Sequence, residues 1–397
     1  MQGWTRRNPN PAIRDISQQK NYKPGQEVPT ETCLAFPSPP SKDAPINIVG
    51  AGIFALSTAL HLARRGYKNV TIFDKQPYDA TLYSYLDGCD AASADINKIV
   101  RSAYGSQVAY QALTFDALEQ LGAGRGAFAR FATAAAGEVA GIVTKDGREH
   151  PAALTIMACG GWTPGLVPAL DGLYEATAGS VVLFRIPRES GLWERFAPER
   201  FPTWLYKMRD GAEGEGGGGG GGGGYLKIGY RGTKYTNPTT QDDGKERSTP
   251  VTRWSEGEKL TQLPKQAVKV IRDFVDEYLP ELEEEGIEVA TTRVCWHTDS
   301  FDNNLVIDYV PGQKNLMVAT GGSGHAFKCL PVIGDWVVDI IEGIGMERPQ
   351  IQAWKWRTLG DQKPGNVLME GKQGRRALGN VPLASDADLK GKATVRL

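Results

Sequence analysis

Residues able to do chemistry gather at two glycine turns. The first, Gly50-Ala51-Gly52, is entered by the apolar run Ile46-Asn47-Ile48-Val49. It is left by a helical pattern through Leu56, Ala59, Leu60, Leu62 and Ala63. Gly50 permits a tight turn, Gly52 lets a pyrophosphate approach the backbone, and the small Ala55 allows close helix–strand packing. The helix N-terminus presents N–H groups and a positive dipole end to phosphate. A second strand, Val70-Thr71-Ile72-Phe73, ends at Asp74, about 20 residues on, where an acid grips a ribose hydroxyl. Strand, turn, helix, strand and acid in this order predict an ADP-containing cofactor. An ordinary βαβ unit with a glycine turn is the plain alternative.

The second turn, Gly321-Gly322-Ser323-Gly324, lies between a predicted strand (Leu316–Thr320) and a predicted helix through Val332–Ile341. Consecutive N–H groups there form an anion-binding concavity. Cys295 falls on a predicted strand, where a thiolate is a nucleophile and a buried thiol is merely core. Lys227 and Arg231 are four apart on a strand pattern, so period two puts both on the face of Gly229, opposite Leu226, Ile228 and Tyr230. A solvated edge is the plain reading of two such cations. Arg101 and Lys328 would each be a surface charge if taken alone. Histidines number four (His61, His150, His297, His325) with no ligand-like spacing, so no metal site is expected, and no Gly-x-Ser-x-Gly elbow supports a serine hydrolase.

The elements that must position these groups belong to a chain of 397 residues, enough for two or three domains. A net charge of −1 gives no reason to expect nucleic acid or an anionic membrane as partner, and no apolar run is long enough to span a bilayer. Five cysteines without a Cys-x-x-Cys pair fit a reducing, intracellular compartment. The last residues, Val395-Arg396-Leu397, faintly resemble the Ser-Lys-Leu peroxisomal address, so cytoplasm or peroxisome is expected. Residues 1–44 read as an extended arm. Leu121–Gly126 reads as a glycine-rich join, and Val139–Val143 with Asp146-Gly147 as a hairpin. The stretch 178–290 reads as mostly strand, with one helix around Gln266–Leu279. Its nine consecutive glycines, Gly216–Gly224, read as a loop or linker.

Taken together, the chain resembles fungal members of the sarcosine oxidase, pipecolate oxidase and fructosyl-amino-acid oxidase (amadoriase) family. The likeness covers roughly residues 45–121 and 126–345. It rests on the first turn, Asp95-Ile96-Asn97-Lys98-Ile99-Val100-Arg101, Ala158-Cys159-Gly160-Gly161-Trp162, and Tyr225-Leu226-Lys227-Ile228-Gly229-Tyr230-Arg231. Arg293-Val294-Cys295-Trp296 and Thr320-Gly321-Gly322-Ser323-Gly324-His325-Ala326-Phe327-Lys328 complete it. The resemblance implies an α/β fold with an α+β second domain: a Rossmann-like FAD-binding domain of the glutathione-reductase/D-amino-acid-oxidase type and a β-rich substrate domain. Segments 45–177 and 291–345 would form the FAD-binding domain. Segment 178–290 would form the substrate domain and 346–397 a C-terminal tail.

The resemblance also implies roles. Gly50, Gly52, Ala55, Asp74, Lys75, Lys98, Gly322, Gly324 and Lys328 would bind FAD, and Cys295 would carry it covalently through a thioether. Arg101 and Lys328 would clamp the substrate carboxylate, a fork and a point charge that both stay protonated. Lys227 would help oxygen accept an electron. A unit charge about 5 Å from nascent superoxide is worth roughly 3 kcal/mol at an effective dielectric of about 20, about a hundredfold in rate. Arg231 stands where the family often has His, His297 lines the site or satisfies a core hydrogen bond, and His325 is structural. The expected activity is oxidation of a secondary amine amino acid (sarcosine, pipecolate, saccharopine or fructosyl amino acid type) to an imine. O2 would be reduced to H2O2, by a monomer. The substrate domain reads as shortened between Leu121 and Phe128. A non-catalytic flavin-binding protein and, further off, an NAD(P)-dependent dehydrogenase therefore stay open.

Overall fold

The computed structural model describes residues 37–76, 81–94, 122–125, 127–134, 137–197, 199–201, 204–207, 215–221, 224–324, 326–361 and 363–390. The Asp95–Arg101 motif, with Lys98 and Arg101, and the helical pattern of Tyr110–Leu118 lie outside them, as does the N-terminal arm through residue 36. The strands are β1 (Ile46–Val49), β2 (Val70–Asp74), β3 (Gly122–Arg125), β4 (Phe128–Thr133), β5 (Val139–Thr144), β6 (Glu149–Pro151), β7 (Leu154–Met157) and β8 (Tyr174–Arg185). They continue as β9 (Trp204–Lys207), β10 (Glu215–Gly221), β11 (Tyr225–Tyr235), β12 (Pro238–Thr240), β13 (Glu246–Ser248), β14 (Val289–Ser300), β15 (Val306–Tyr309) and β16 (Leu316–Thr320). The longer helices are α1 (Ile53–Arg64), α2 (Lys265–Tyr278) and α3 (Leu330–Glu342).

The first sheet has the order β15-β16-β7-β1-β2-β3, parallel except for β15. Its central strands β1 and β7 are buried at every residue, because layers cover both faces. Period two divides the residues between them. Ile46, Ile48, Ile156 and Met317 face α1 and α3, whereas Val49, Met157 and Val318 face the three-stranded sheet β4-β5-β6. The helices α1 and α3 pack closely. The Ser57 hydroxyl donates to the Leu330 carbonyl at 2.7 Å and accepts from the Gly334 N–H at 2.9 Å. Arg65 adds ion pairs to Asp335 at 2.6 Å and Glu342 at 2.9 Å.

The second sheet is antiparallel, in the order β14-β8-β11-β10-β9. One face is apolar: Ala178, Val182, Leu226, Ile228, Val294 and Trp296 pack against Val268, Ile271 and Val275 of α2. The opposite face carries Thr177, Gly179, Lys227, Gly229, Arg231, Cys295 and His297, as the alternation along each strand requires.

Several elements differ from the sequence expectations. Gly216–Gly221 form most of β10, paired with Tyr225–Tyr230 on one side and, through Gly216–Gly218, with β9 on the other. A strand ladder joins backbone N–H and C=O groups, so two good partner strands can order a segment that has no side chains. The glycine-rich join likewise supplies β3, parallel to β2. Strand β14 pairs along its length with β8. The polar C-terminal segment is bound to the rest of the chain. Arg357 chelates Asp302 at 2.7 Å, Arg376 reaches Glu175 at 3.3 Å, and Leu383 bridges to Pro264.

A Cβ on Gly334 would overlap the Ser57 carbonyl oxygen, a backbone atom that cannot swing aside. Gly334→Ala is expected to lower stability by about 3 kcal/mol through helix separation. A thermal melt checks this, and an unchanged midpoint would contradict the packing described.

Candidate active site

The adjacent parallel strands β1, β7 and β16 each end in a glycine-bearing turn: Gly50–Gly52, Gly160–Gly161 and Gly321–Gly324. In open α/β sheets, ligands lie outside such carboxyl ends, at the point where the strand order reverses. Here that point is β1, flanked by β2 and β7.

At the first turn, Gly50 has φ +104°, and a Cβ there would lie 2.5 Å from the Ala158 carbonyl oxygen, so only glycine fits. Gly52 caps α1 with no side-chain hydrogen bond, and the first helical turn holds no acid. In front of Gly52 a Cβ would meet, among the described residues, only the Ser93 hydroxyl, at 3.6 Å. An uncapped helix N-terminus with space before it fits a diphosphate. Ala55 is fully buried against the sheet. The Asp74 carboxylate accepts the Ala51 N–H at 2.6 Å and the Gln76 N–H at 2.8 Å, which fixes the acid beside the turn. The Lys75 ammonium lies 3.0 Å from the buried Asp90 and 3.9 Å over the Trp162 ring, on the same side of the cleft. Cys159 is not poised as a nucleophile. Its thiol donates to the Val49 carbonyl at 3.1 Å, and burial pushes its pKa up.

The second turn touches three other segments. Gly321 has φ +85°, and a Cβ there would collide with the Tyr174 ring, its Cζ atom 2.5 Å away. Gly322 faces Phe54 of α1, 3.8 Å from where its Cβ would be. At Gly324, φ +70°, a Cβ would fall inside the Arg231 guanidinium. Strand β14 fastens this corner: the Gly321 N–H donates to the Thr298 hydroxyl at 3.1 Å, and the Ser323 N–H to the Thr298 carbonyl at 2.8 Å. The two glycine turns are therefore neighbours, with Phe54 between them.

The polar face of the antiparallel sheet adjoins this corner. Arg231 lays its stem on Gly179, whose Cβ would sit 3.1 Å from Cγ, and donates from Nη2 to His297 Nε2 at 2.9 Å. Burial first, and Arg231 second, lower the His297 pKa, so the imidazole is neutral. With Nε2 accepting, Nδ1–H donates to the Cys295 carbonyl at 3.3 Å. Burial opposes ionisation of Asp299, but Lys234 at 3.2 Å and the Thr177 hydroxyl hold its carboxyl well below the usual range. Cys295 is half-buried, and two residues along the same face Arg293 stacks 4.3 Å over the Tyr85 ring and donates to the Ala91 carbonyl at 2.5 Å. Lys227 is half-buried on that face as well.

Of the residues singled out in the sequence, Gly50, Gly52 and Asp74 lie at the first turn, Gly322 and Gly324 at the second, Ala55 is buried in the helix–sheet packing, and Lys227, Arg231, Cys295 and His297 share the adjoining sheet face. Lys98, Arg101 and His325 lie outside the described residues. Lys328 belongs to the turn Ala326–Cys329, its side chain likewise outside them. Sequence reasoning did not find Tyr174, Thr177, Lys234 or Asp299. Asp299 alone had a signal, its place two residues beyond His297 in an alternating strand.

A histidine held neutral in the folded chain takes up a proton on unfolding below its ordinary pKa of about 6.5. Its contribution is complete above that pH and is lost as pH falls toward 5, at up to about 1.4 kcal/mol per pH unit. Denaturant melts of His297→Gln should show a shallower acid-side loss between pH 6.5 and 5. An identical slope in both proteins would contradict the neutral assignment.

A family model for FAD dependent oxidoreductases matches residues 46–121 and 90–340. L-saccharopine oxidase of Schizosaccharomyces pombe is 36% identical over 132 residues, 33% of this chain and 30% of that protein. Amino acid oxidase imqH of Aspergillus flavus is 28% identical over 232 residues, 51% of this chain and 46% of that protein. The chain thus spans less than half the length of these curated relatives. Amadoriase I from Aspergillus fumigatus, a fructosyl amine:oxygen oxidoreductase, superposes with a TM-score of 0.64 at 21% identity, over 81% of this chain and 91% of that one, a likeness of fold. With the family match covering most of its length, this chain belongs to the FAD dependent oxidoreductase family.

Proposed function

We propose that this chain is an FAD-dependent oxidase that converts the C–N bond of a secondary amine amino acid to an imine and reduces O2 to H2O2. The observation that carries the reading is the meeting of Gly50–Gly52 and Gly321–Gly324 at the carboxyl ends of β1 and β16, beside a cation-bearing sheet face. FAD, when bound, supplies the acceptor for the hydride equivalent and returns the electrons to oxygen.

The chain's own residues bind and orient. The N–H groups at the start of α1 receive the diphosphate, and Asp74 the ribose. The Gly321–Gly324 backbone donors stabilise negative charge near the reacting end of the site. Arg101 and Lys328 hold the substrate α-carboxylate, so the neutral amine is presented in one orientation. Lys227 supplies a fixed positive charge where oxygen accepts electrons. Cys295 is the point of covalent attachment, which prevents cofactor loss. These four assignments rest on family resemblance, supported for Lys227 and Cys295 by their shared polar face. The names of the relatives, an L-saccharopine oxidase among them, support an amino-acid substrate.

The purified chain should show a flavin absorption band that bleaches under argon with at least one of sarcosine, L-pipecolate, L-saccharopine or fructosyl-valine. No flavin band, or silence with all four, would contradict the oxidase. After acid precipitation the colour should stay in the pellet for the wild type and pass to the supernatant for Cys295→Ser. Wild-type colour in the supernatant would remove the covalent link.

A further inference from the structure

We infer that Arg231 receives a second carboxylate of the substrate, so that the site takes an N-substituted amino acid with an anionic group beyond its α-carboxylate. The inference rests on the oxidase reading and narrows its substrate class.

Four other arginines withdrawn from water in this chain hold a carboxylate, while Arg293 donates to the Ala91 carbonyl and Arg253 to the Thr292 carbonyl. Arg65 holds Asp335 at 2.6 Å, Arg247 holds Asp171 at 2.6 Å, Arg357 holds Asp302 at 2.7 Å, and Arg376 holds Glu370 at 2.6 Å. A guanidinium withdrawn from water loses hydration, and a carboxylate restores it. Arg231 has no such partner among the described residues. Its hydrogen bond goes to His297, which is neutral, and its buried Nε has no acceptor. The nearest carboxylate in the network, Asp299, is already engaged by Lys234 and Thr177.

The group is also held in place. Gly179 and Gly324 form a slot that any side chain would fill, with the Arg231 stem on one glycine and the fork against the other. His297 accepts from one arm and fixes the plane of the fork. A pre-oriented, partly desolvated guanidinium matches a carboxylate in shape and charge. It stands on the face that carries Lys227 and Cys295, at the corner of the cleft. In the proposed function the α-carboxylate is met by Arg101 and Lys328, which leaves Arg231 for another anion.

The test is a titration of the oxidised, flavin-bearing chain, read as the change in flavin absorption. The probes are N-methylglycine, N-(carboxymethyl)glycine and N-methyl-L-aspartate. At least one dicarboxylate should bind about tenfold or more tightly than N-methylglycine. That ratio should fall about tenfold in Arg231→Met and be partly kept in Arg231→Lys, and it should shrink with added salt in the wild type. Equal affinities in the wild type would overturn the inference while leaving the oxidase reading intact. A ratio unchanged by Arg231→Met would do the same. If Arg231→Met instead shifts the flavin spectrum before any ligand is added and weakens all three probes alike, the guanidinium serves the cofactor and the inference falls. A chain that holds no flavin overturns the oxidase reading and this inference together.

Discussion

The architecture depends on the close approach of one turn, Gly321–Gly324, to three segments at once. Tyr174 presses on Gly321, Phe54 on Gly322 and Arg231 on Gly324, and two of these contacts occupy the space of a missing side chain. Gly321 and Gly324 have φ above +60°, where glycine carries no steric penalty. Because this turn ends β16, the contacts tie the parallel sheet, through α1, to the antiparallel one. Gly50 plays a matching part at β1, where the Ala158 backbone leaves no room for a side chain.

The antiparallel sheet then serves two purposes through its two faces. Leu226, Ile228 and Trp296 are almost wholly buried against α2, each worth about 2 kcal/mol or more of apolar burial. That packing holds the strands at a set depth. The alternate residues on the same strands point to the cleft side, where charge and hydrogen-bonding groups collect. The arrangement satisfies most of them internally: Asp299 with Lys234 and Thr177, His297 with Arg231 and the Cys295 carbonyl. A slip of one residue would exchange the faces, placing Lys227 in the apolar core and Ile228 in the cleft.

What the sequence made legible is local. The first βαβ unit was readable because each residue's part is played within a few positions: Gly50, Gly52 and Ala55 within six residues, and Asp74 at the end of the next strand. The two-faced character of β11 was readable from alternation alone. Segments whose order comes from partners were not. The glycines of β10 hold no side-chain pattern, so composition suggested a linker, while the ladder with β9 and β11 decided the outcome. The same holds for β3. Arg231 meets His297 across β8 and over Gly179, near a register shift in β11 that a one-dimensional pattern does not carry. Asp90, which engages Lys75, Gln76 and Thr252, owes its importance to contacts from two distant segments.

The central claim is that the Gly50–Gly52 turn and the Gly321–Gly324 turn grip one cofactor together. Hydrogen–deuterium exchange of the cofactor-free Cys295→Ser chain, with and without added FAD, measures this directly. Amides of Ile53–Ala55 and of Gly321–Gly324 should both exchange more slowly when FAD is present, with the same concentration dependence. Slowing at only one of the two turns, or at neither, would contradict a shared site.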